Sequence, residues 1–457
     1  MLTGGYDSYN VLAPHTCTLS PEQVANNETS IREQYENIRT TVSLDTMTDL
    51  LPIDASSSNQ QCETFGIHNS IPIFKNLYDG SPMDGQDPSL LWFANTGILT
   101  KPVDKSNYRD VSQITQLFAH NTQQDNTRRI DPFDDIRGTG VLGRIMDVLY
   151  INDYLTSGLS VAGSTVTLAG QPGQSPKYSI INNADDITEF NPTPLGEGMD
   201  ETIFDLNNAT TSNSGGFGET WASKLSESVA LNKKMRADLQ NSVLETENTF
   251  CNQGGLCGHL ETVARMIQVA DNRKVTRESF YATYGSWDHH AMLAGNLANR
   301  LEHVNSAVES FVAEMRAQGK YDDVTVVFTS DFARTLDPNG NIGTDHGWGG
   351  NYAMFGGAVN GGRILGKYPD DILNSDGSMG AGNVGRGRMI PSTSWDSVWN
   401  GLAQWMGVET EEELDTILPN RYKFANDRTN GEINDDLFSK EDLFRTQIPA
   451  RRNLRKS

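Results

Sequence analysis

The sequence predicts an α/β fold with a mainly parallel sheet, and three observations predict it. Short apolar runs alternate with longer stretches of helical period. The apolar runs end in loops of Gly, Asn and Asp, as the strands of an open sheet do. The chain has 457 residues, 37% of them hydrophobic, which is enough for a sizeable buried core.

The elements follow in order. Residues 22–40 carry a charged helix around Ser30-Ile31-Arg32-Glu33-Gln34-Tyr35. Residues 90–94 (Leu-Leu-Trp-Phe-Ala) read as a buried strand ending at Asn95-Thr96-Gly97. From 141 to 152, Leu142, Ile145, Met146 and Leu149 recur at helical spacing. Residues 156–182 change character, with short strands expected at 159–161 and 164–168 between glycine turns. Residues 191–217 are polar and loop-like, and helices are expected at 220–247 and 258–271. A strand at 278–284 is followed by a long helix at 291–318, whose stripe is Leu293, Leu297, Leu301, Val304, Val308 and Phe311. A strand at 324–328 and a helix at 395–406, striped by Trp399, Leu402 and Met406, complete the pattern. No internal repeat is present. The organisation expected is one domain over 1–457 with an insertion at about 156–217.

Charge excludes some partners. The net charge is −23, from 59 acidic and 36 basic residues. Such a polyanion repels nucleic-acid phosphates, and it offers no broad basic face to a membrane surface. No apolar run is long enough for membrane insertion. Gly is frequent, at 42 residues, which predicts tight turns and long loops. Met1-Leu2-Thr3 leads into Gly4-Gly5 without a basic stretch or apolar leader segment. The cysteines are Cys17, Cys62, Cys251 and Cys257. They lack zinc-type spacing and permit two disulfides, of which Cys251 to Cys257 closes a small flexible loop. The expectation is an exported protein, periplasmic or extracellular, whose leader is not in this chain; a cytoplasmic location is the alternative. Oligomeric state is not legible.

The strand-end rule locates the chemistry. The strand at 278–284 runs into Gly285-Ser286-Trp287-Asp288-His289-His290, and that at 324–328 into Thr329-Ser330-Asp331-Phe332. Gly343-Thr344-Asp345-His346-Gly347-Trp348-Gly349-Gly350 is a glycine-rich loop, and Gly4-Gly5-Tyr6-Asp7-Ser8 has the same form. Asp7, Asp288, Asp331, Asp345, His290 and His346 therefore occupy similar topological positions. Carboxylates with neutral imidazoles suit zinc, manganese or iron, and carboxylates alone suit magnesium or calcium. Each Asp alone is more simply a turn former. Asp337-Pro338-Asn339-Gly340 is read as a plain turn.

At these residues the sequence resembles a family. The blocks Gly4 to Asn10, Gly285 to His290, Ser330 to Thr335 and Gly343 to Gly350 look like the signatures of the domain-of-unknown-function family 1501. Phe93 to Gly97, Gln116-Leu117-Phe118-Ala119-His120-Asn121 and Gly387-Arg388-Met389-Ile390-Pro391 to Trp405 agree. The resemblance covers nearly the whole chain, in order. The family is regarded as akin to the alkaline-phosphatase and sulfatase superfamily. That kinship implies a three-layer fold, with a central sheet flanked by helices, and a one- or two-cation site that hydrolyses phosphate or sulfate esters.

Carried over residue by residue, the resemblance implies one cation site at Asp288, His290 and His346, for zinc or manganese. It implies a second at Asp7 and Asp331, for magnesium, calcium or zinc. Asp345 lies beside the first as a further candidate ligand. Phe332 stands where the superfamily usually has His, and Ala119 where many relatives have Ser. The candidate catalytic residues are Thr96 and Ser8 as hydroxyl nucleophiles, Arg334 as a fork for a non-bridging oxygen or else a structural ion pair beneath Asp331 or the nearby turn, and His120. The functional expectation is a metal-dependent hydrolase of phosphate or sulfate esters acting on a small anionic substrate. The alternative is a non-catalytic, metal-stabilised extracellular protein that retains the fold.

Overall fold

The computed structural model describes residues 1–110, 116–133, 138–181, 233–246, 249–252, 254–424 and 437–446, apart from positions 82, 84 and 241, together with 205, 225, 229 and 230. The expected loop at 191–217, apart from position 205, and part of the expected helix at 220–247 lie outside these residues; 225, 229, 230 and 233–240 are helical, and 242–246 are not.

The strands are β1 (Leu12–Thr16), β2 (Leu50–Asp54), β3 (Thr64–His68), β4 (Leu90–Gly97), β5 (Thr156–Ser160), β6 (Ser179–Ile180), β7 (Arg277–Tyr281), β8 (Val326–Val327), β9 (Gly350–Phe355), β10 (Arg363–Gly366) and β11 (Thr393–Ser394). One ladder runs β10-β4-β9-β8 with β11 on β4, and another runs β6-β5-β7. The start of the chain joins them. Leu2 bridges Tyr284 on one side and Ser330 on the other, both in parallel. Leu2 N donates to Thr329 O (2.7 Å) and Thr3 N to Tyr284 O (3.0 Å). Because β4 and β8 are both antiparallel to β9, they run parallel to each other. β10 and β11 are parallel to β4, and β6 and β7 to β5, so β9 alone reverses. The fold is thus mixed α/β with a partly parallel sheet.

A second, antiparallel sheet, ordered β1-β3-β2, has no counterpart in the sequence reading. Pro14 in β1 and Pro52 in β2 hide it, since proline removes a ladder donor. The strand order resolves the conflict, because both prolines lie on edge strands. Cys17–Cys62 ties the ends of β1 and β3, and Cys251–Cys257 closes the small loop expected from the sequence. Residue spacing offers less reason to expect the first bridge than the second.

Three other expectations are corrected. Residues 22–40 form two helices, Pro21–Ala25 and Ile31–Arg39, because Ser20 and Ser30 each start a capping box. Residues 164–168 are not a strand. Their backbone faces the start of the helix Val141–Ile151 instead: Gly143 N donates to Thr167 O (3.0 Å) and Gly140 N to Ala169 O (2.9 Å). Those amides have no partner inside a helix, and the passing carbonyls satisfy them. A Cβ at Gly140 would lie 2.0 Å from Val166 O, so only glycine fits there. The strand at 324–328 shrinks to β8, with Phe328 N still bonded to Ala353 O (2.9 Å).

The long helix is Leu293–Ala317, and its six expected stripe residues are all buried. It packs on the helices Gly254–Gln268 and Pro72–Asp79. The last expected helix is Trp395–Met406, capped by Ser394 and ended by Gly407 at φ 114°. The main core runs from Leu2 to Phe444. Among the described residues, no helix is long and apolar enough to cross a membrane.

His68, at the end of β3, is buried and accepts a hydrogen bond at Nδ1 from Ser70 N (3.1 Å). Burial pushes its pKa down to about 4, against the opposing charges of Asp49 and Asp7. The unfolded chain takes up this proton near pH 6.5 and the fold resists it, so stability is full above about 6.5 and falls toward pH 4. The loss should be on the order of 3 kcal/mol. Chemical denaturation across that range should show this slope, and His68→Gln should flatten it. A variant with the wild-type slope would contradict the assignment.

Candidate metal centre

Four loops bring the site together. Asp288 and His290 follow β7, Asp331 follows β8, and Asp345 and His346 precede β9. His120 is the first residue of the helix His120–Arg129. The i, i+4 spacing of that helix also directs Gln124 toward the cleft.

Each of three imidazoles is anchored through Nδ1. His346 Nδ1 lies 2.8 Å from Phe118 O, which can only accept, so the proton is on Nδ1 and Nε2 carries a lone pair. His290 Nδ1 donates to Asp345 Oδ1 (2.9 Å) and His120 Nδ1 to Asp331 Oδ2 (2.8 Å). The three Nε2 atoms then converge on one carboxylate. Asp288 Oδ1 is 3.0 Å from His290 Nε2 and 3.3 Å from His346 Nε2, and Oδ2 is 3.4 Å from His120 Nε2. His290 Nε2 and His346 Nε2 are 3.1 Å apart.

With both rings neutral, two lone pairs face each other at that distance and repel unless positive charge lies between them. Ligands on a tetrahedral zinc, each about 2.0–2.1 Å from the metal, sit roughly 3.3 Å apart. Ligand atoms of His120, Asp288 and His346 all lie within 4.8 Å of one another, and His120 Nε2 is buried without a hydrogen-bond partner. The donor set, nitrogen with one carboxylate, fits a divalent transition cation. Asp331, Asp345 and the Phe118 carbonyl are the outer partners that fix the ligand tautomers.

Electrostatics supports a neutral His346 ring and an ionised Asp288. Burial lowers the His346 pKa, and the charges of His120 and Arg334 add to this against the Phe118 carbonyl and Asp288. Burial opposes ionisation of Asp288, but the Arg334 hydrogen bond and charge, then His290 and His120, outweigh it and hold its pKa low. Burial likewise opposes ionisation of Asp345. Hydrogen bonds from Asn339, Arg386 and His290 prevail and hold it well below the usual carboxylate range.

The structure therefore unites Asp288, His290 and His346, and it adds His120 from among the expected catalytic residues. Other expectations are corrected. Asp7 does not share a cation with Asp331, because a fixed guanidinium already holds it. Asp7 is fully buried and pairs with Arg39, also accepting from Thr344 Oγ1 (3.0 Å) and Asn10 N (3.2 Å). Asp331 Oδ2 instead collects His120, Gln124 Nε2 (2.9 Å) and Gly4 N (3.1 Å). Asp345 stands behind His290 rather than facing the cation position.

Arg334 is not a free fork. It is fully buried, and its nitrogens bond Asp288, Thr344 O, Gly4 O (3.2 Å) and Thr344 Oγ1 (3.4 Å). Neither candidate hydroxyl joins the cluster. Ser8 Oγ accepts from Asn351 N (3.0 Å) and Thr96 Oγ1 reaches Ala94 O (3.4 Å), both inside the core. Phe332 packs its ring 4.8 Å from both His120 and His346, so carbon fills the position beside Asp331. Sequence reasoning missed Gln124, Phe118 and the arginines Arg386 and Arg388. Helical spacing from His120 could have found Gln124, whereas the Phe118 carbonyl leaves no trace in residue type.

Residues 221–376 match a family described as "Protein of unknown function (DUF1501)". This is the family that the motifs resemble, and the matched stretch holds Asp288, His290, Asp331, Asp345 and His346. No curated protein matches the sequence. Among solved structures, the chain is similar to Ps i-CgsB in complex with k-i-k-neocarrahexaose, at 13% identity over 77% of this chain and 71% of that one, with a TM-score of 0.30. It is also similar to the lipoteichoic acid synthase LtaP from Listeria monocytogenes, at 10% identity over 79% of this chain and 80% of that one, with a TM-score of 0.26. Likenesses this low carry no weight for function.

His346→Ala removes one donor and should cost zinc affinity severely. Asp331→Asn leaves every donor in place but loosens the His120 tautomer, and should weaken zinc about 10–100-fold. Competition with a chromophoric chelator measures both. Wild-type affinity in either variant would contradict the geometry above.

Proposed function

We propose that the chain is a metal-dependent hydrolase of phosphate or sulfate esters, working at a single cation held by His120, His290, His346 and Asp288. One observation carries this reading: three imidazoles, each with Nδ1 anchored, aim Nε2 at one solvent-accessible carboxylate. The side chains of His290 and Asp288 are 46% and 41% exposed, so a ligand can reach them. A bound divalent cation supplies Lewis-acid polarisation of the ester oxygen and acidifies a coordinated water. The chain's residues orient that centre. Asp331 and Asp345 hold two imidazoles, and Arg334 keeps Asp288 ionised and fixed. Two disulfides fit an oxidising, exported setting.

A second reading is favoured by the burial of Ser8 and Thr96. Neither expected nucleophile reaches the cluster, which suits a metal-stabilised protein without turnover. Metal analysis of purified protein with a panel of chromogenic phosphate and sulfate esters separates the two. The hydrolase should lose turnover to chelator and regain it with one metal, and His290→Ala should lower kcat/KM at least tenfold. Stoichiometric metal without turnover of any ester would leave the second reading standing.

A further inference from the structure

The arginines nearest the histidine cluster differ in how their donors are used. Arg334 is spent on Asp288, Gly4 and Thr344. Arg386 is spent on Asp345, Pro338 O (3.3 Å) and Asp337 (3.6 Å). Arg388 is not. Its Nε donates to His346 O (2.8 Å), and its guanidinium carbon sits 4.9 Å over the Phe118 ring. Among the described residues, no acceptor meets either terminal nitrogen. The side chain is partly buried, and burial followed by the Arg386 charge presses its pKa down, against Asp345 and Tyr108. A half-buried cation with two unspent donors is open to an anion from solution. The cation is also held rigidly, by a ring below and a carbonyl behind, so little entropy opposes a bidentate contact.

Its placement limits what that anion is. Arg388 bonds the backbone carbonyl of His346, the end of the residue opposite Nε2. Its Nε is therefore set back from the cation position by about the length of a histidine side chain. Phe118, beneath it, is the residue whose carbonyl fixes the His346 tautomer, so the fork and the cluster share one support.

We propose that Arg388 is a specificity-determining residue that binds a second anionic group of the substrate, a sulfate, phosphate or carboxylate lying beside the ester at the histidine cluster. The substrate class is then a polyanionic ester. The ester part rests on the proposed function, and the anion contact does not.

The test separates the two. Inorganic sulfate, titrated calorimetrically into the chelator-treated full chain, should bind wild type and lose about tenfold or more in affinity in Arg388→Ala. Arg388→Lys should retain part of the affinity, since it keeps the charge without the fork. Arg388→Gln keeps an N–H near the His346 carbonyl and removes the fork, which covers a failure of the Ala variant to fold. Zinc content of each variant reports whether His346 stays in place. No sulfate binding in wild type, or equal binding in folded variants, would make Arg388 a packing partner of Phe118 and overturn the proposal. With hydrolysed esters, Arg388→Ala should raise KM more for those bearing a second anion than for singly charged ones. Equal effects on both would also overturn it. Absence of all turnover would strike the hydrolase reading, and the sulfate titration would still decide Arg388.

Discussion

The buried guanidinium of Arg334 is the interaction on which the site depends. It is fully buried, and it ties three separate loops together through Gly4 O, Asp288 and the Thr344 carbonyl and hydroxyl. These loops belong to the N-terminal turn, the end of β7 and the approach to β9. A buried arginine left without its carboxylate costs about 3–5 kcal/mol. Asp288 is therefore fixed by the fold rather than by a cation, and the imidazoles assemble around a carboxylate already in place. Arg39 does the same one layer away, with Asp7, Asn10 and the Thr335 and Leu336 carbonyls. Two arginines thus fix the positions at which the strand-end loops meet.

This explains what was legible in the sequence and what was not. Strand-end position marked Asp288, His290 and His346, because topology alone brings such loops to one edge. It could not distinguish a carboxylate that faces a cation from one that faces an arginine, and so it grouped Asp7 with Asp331. The difference lies in Arg39, far along the chain on a helix that reads as an ordinary charged surface. Arg334 was undecided for a related reason: a guanidinium beside a candidate site reads equally as a substrate fork or a structural ion pair until its burial is known. In the fold, helices with clear stripes were found to within a few residues, as at Trp395–Met406. The prolines of β1 and β2 concealed an entire sheet, since local breaker signals say nothing of edge position.

Charge is distributed in keeping with this arrangement. The chain carries a net −23, yet Arg334, Arg386 and Arg388 gather around the histidines. Asp288, Asp331 and Asp345 lie at the same place, so the arginines offset the local acidic charge. Most of that positive charge is internally compensated, by Asp288 for Arg334 and by Asp345 for Arg386. Compensated arginines hold ligands in place and attract little from solution. Attraction therefore depends on groups whose donors remain unspent.

The backbone of the site loops departs from the usual φ range at several positions. Gln116 and Phe118 both have positive φ, at 46° and 71°, in the turn that delivers the Phe118 carbonyl to His346 and His120 to Asp331. Ser286, Met292, Ile342 and Arg386 are also left-handed, at φ 68°, 47°, 54° and 56°, and all lie in loops that carry or adjoin the site. None is glycine, and Ile342 is β-branched, which makes its conformation the most expensive of them. Such residues cost on the order of 1–3 kcal/mol each and persist only where neighbouring structure enforces them. The enforcing contacts are specific: Met292 N to Asn341 O (3.2 Å), Leu293 N to Ile342 O (2.9 Å) and Asn339 Nδ2 to Asp345 Oδ1 (3.1 Å). Positive φ also occurs away from the site, at Thr40 and Ile130, so each of these conformations follows from how its own turn is held rather than from the cluster alone.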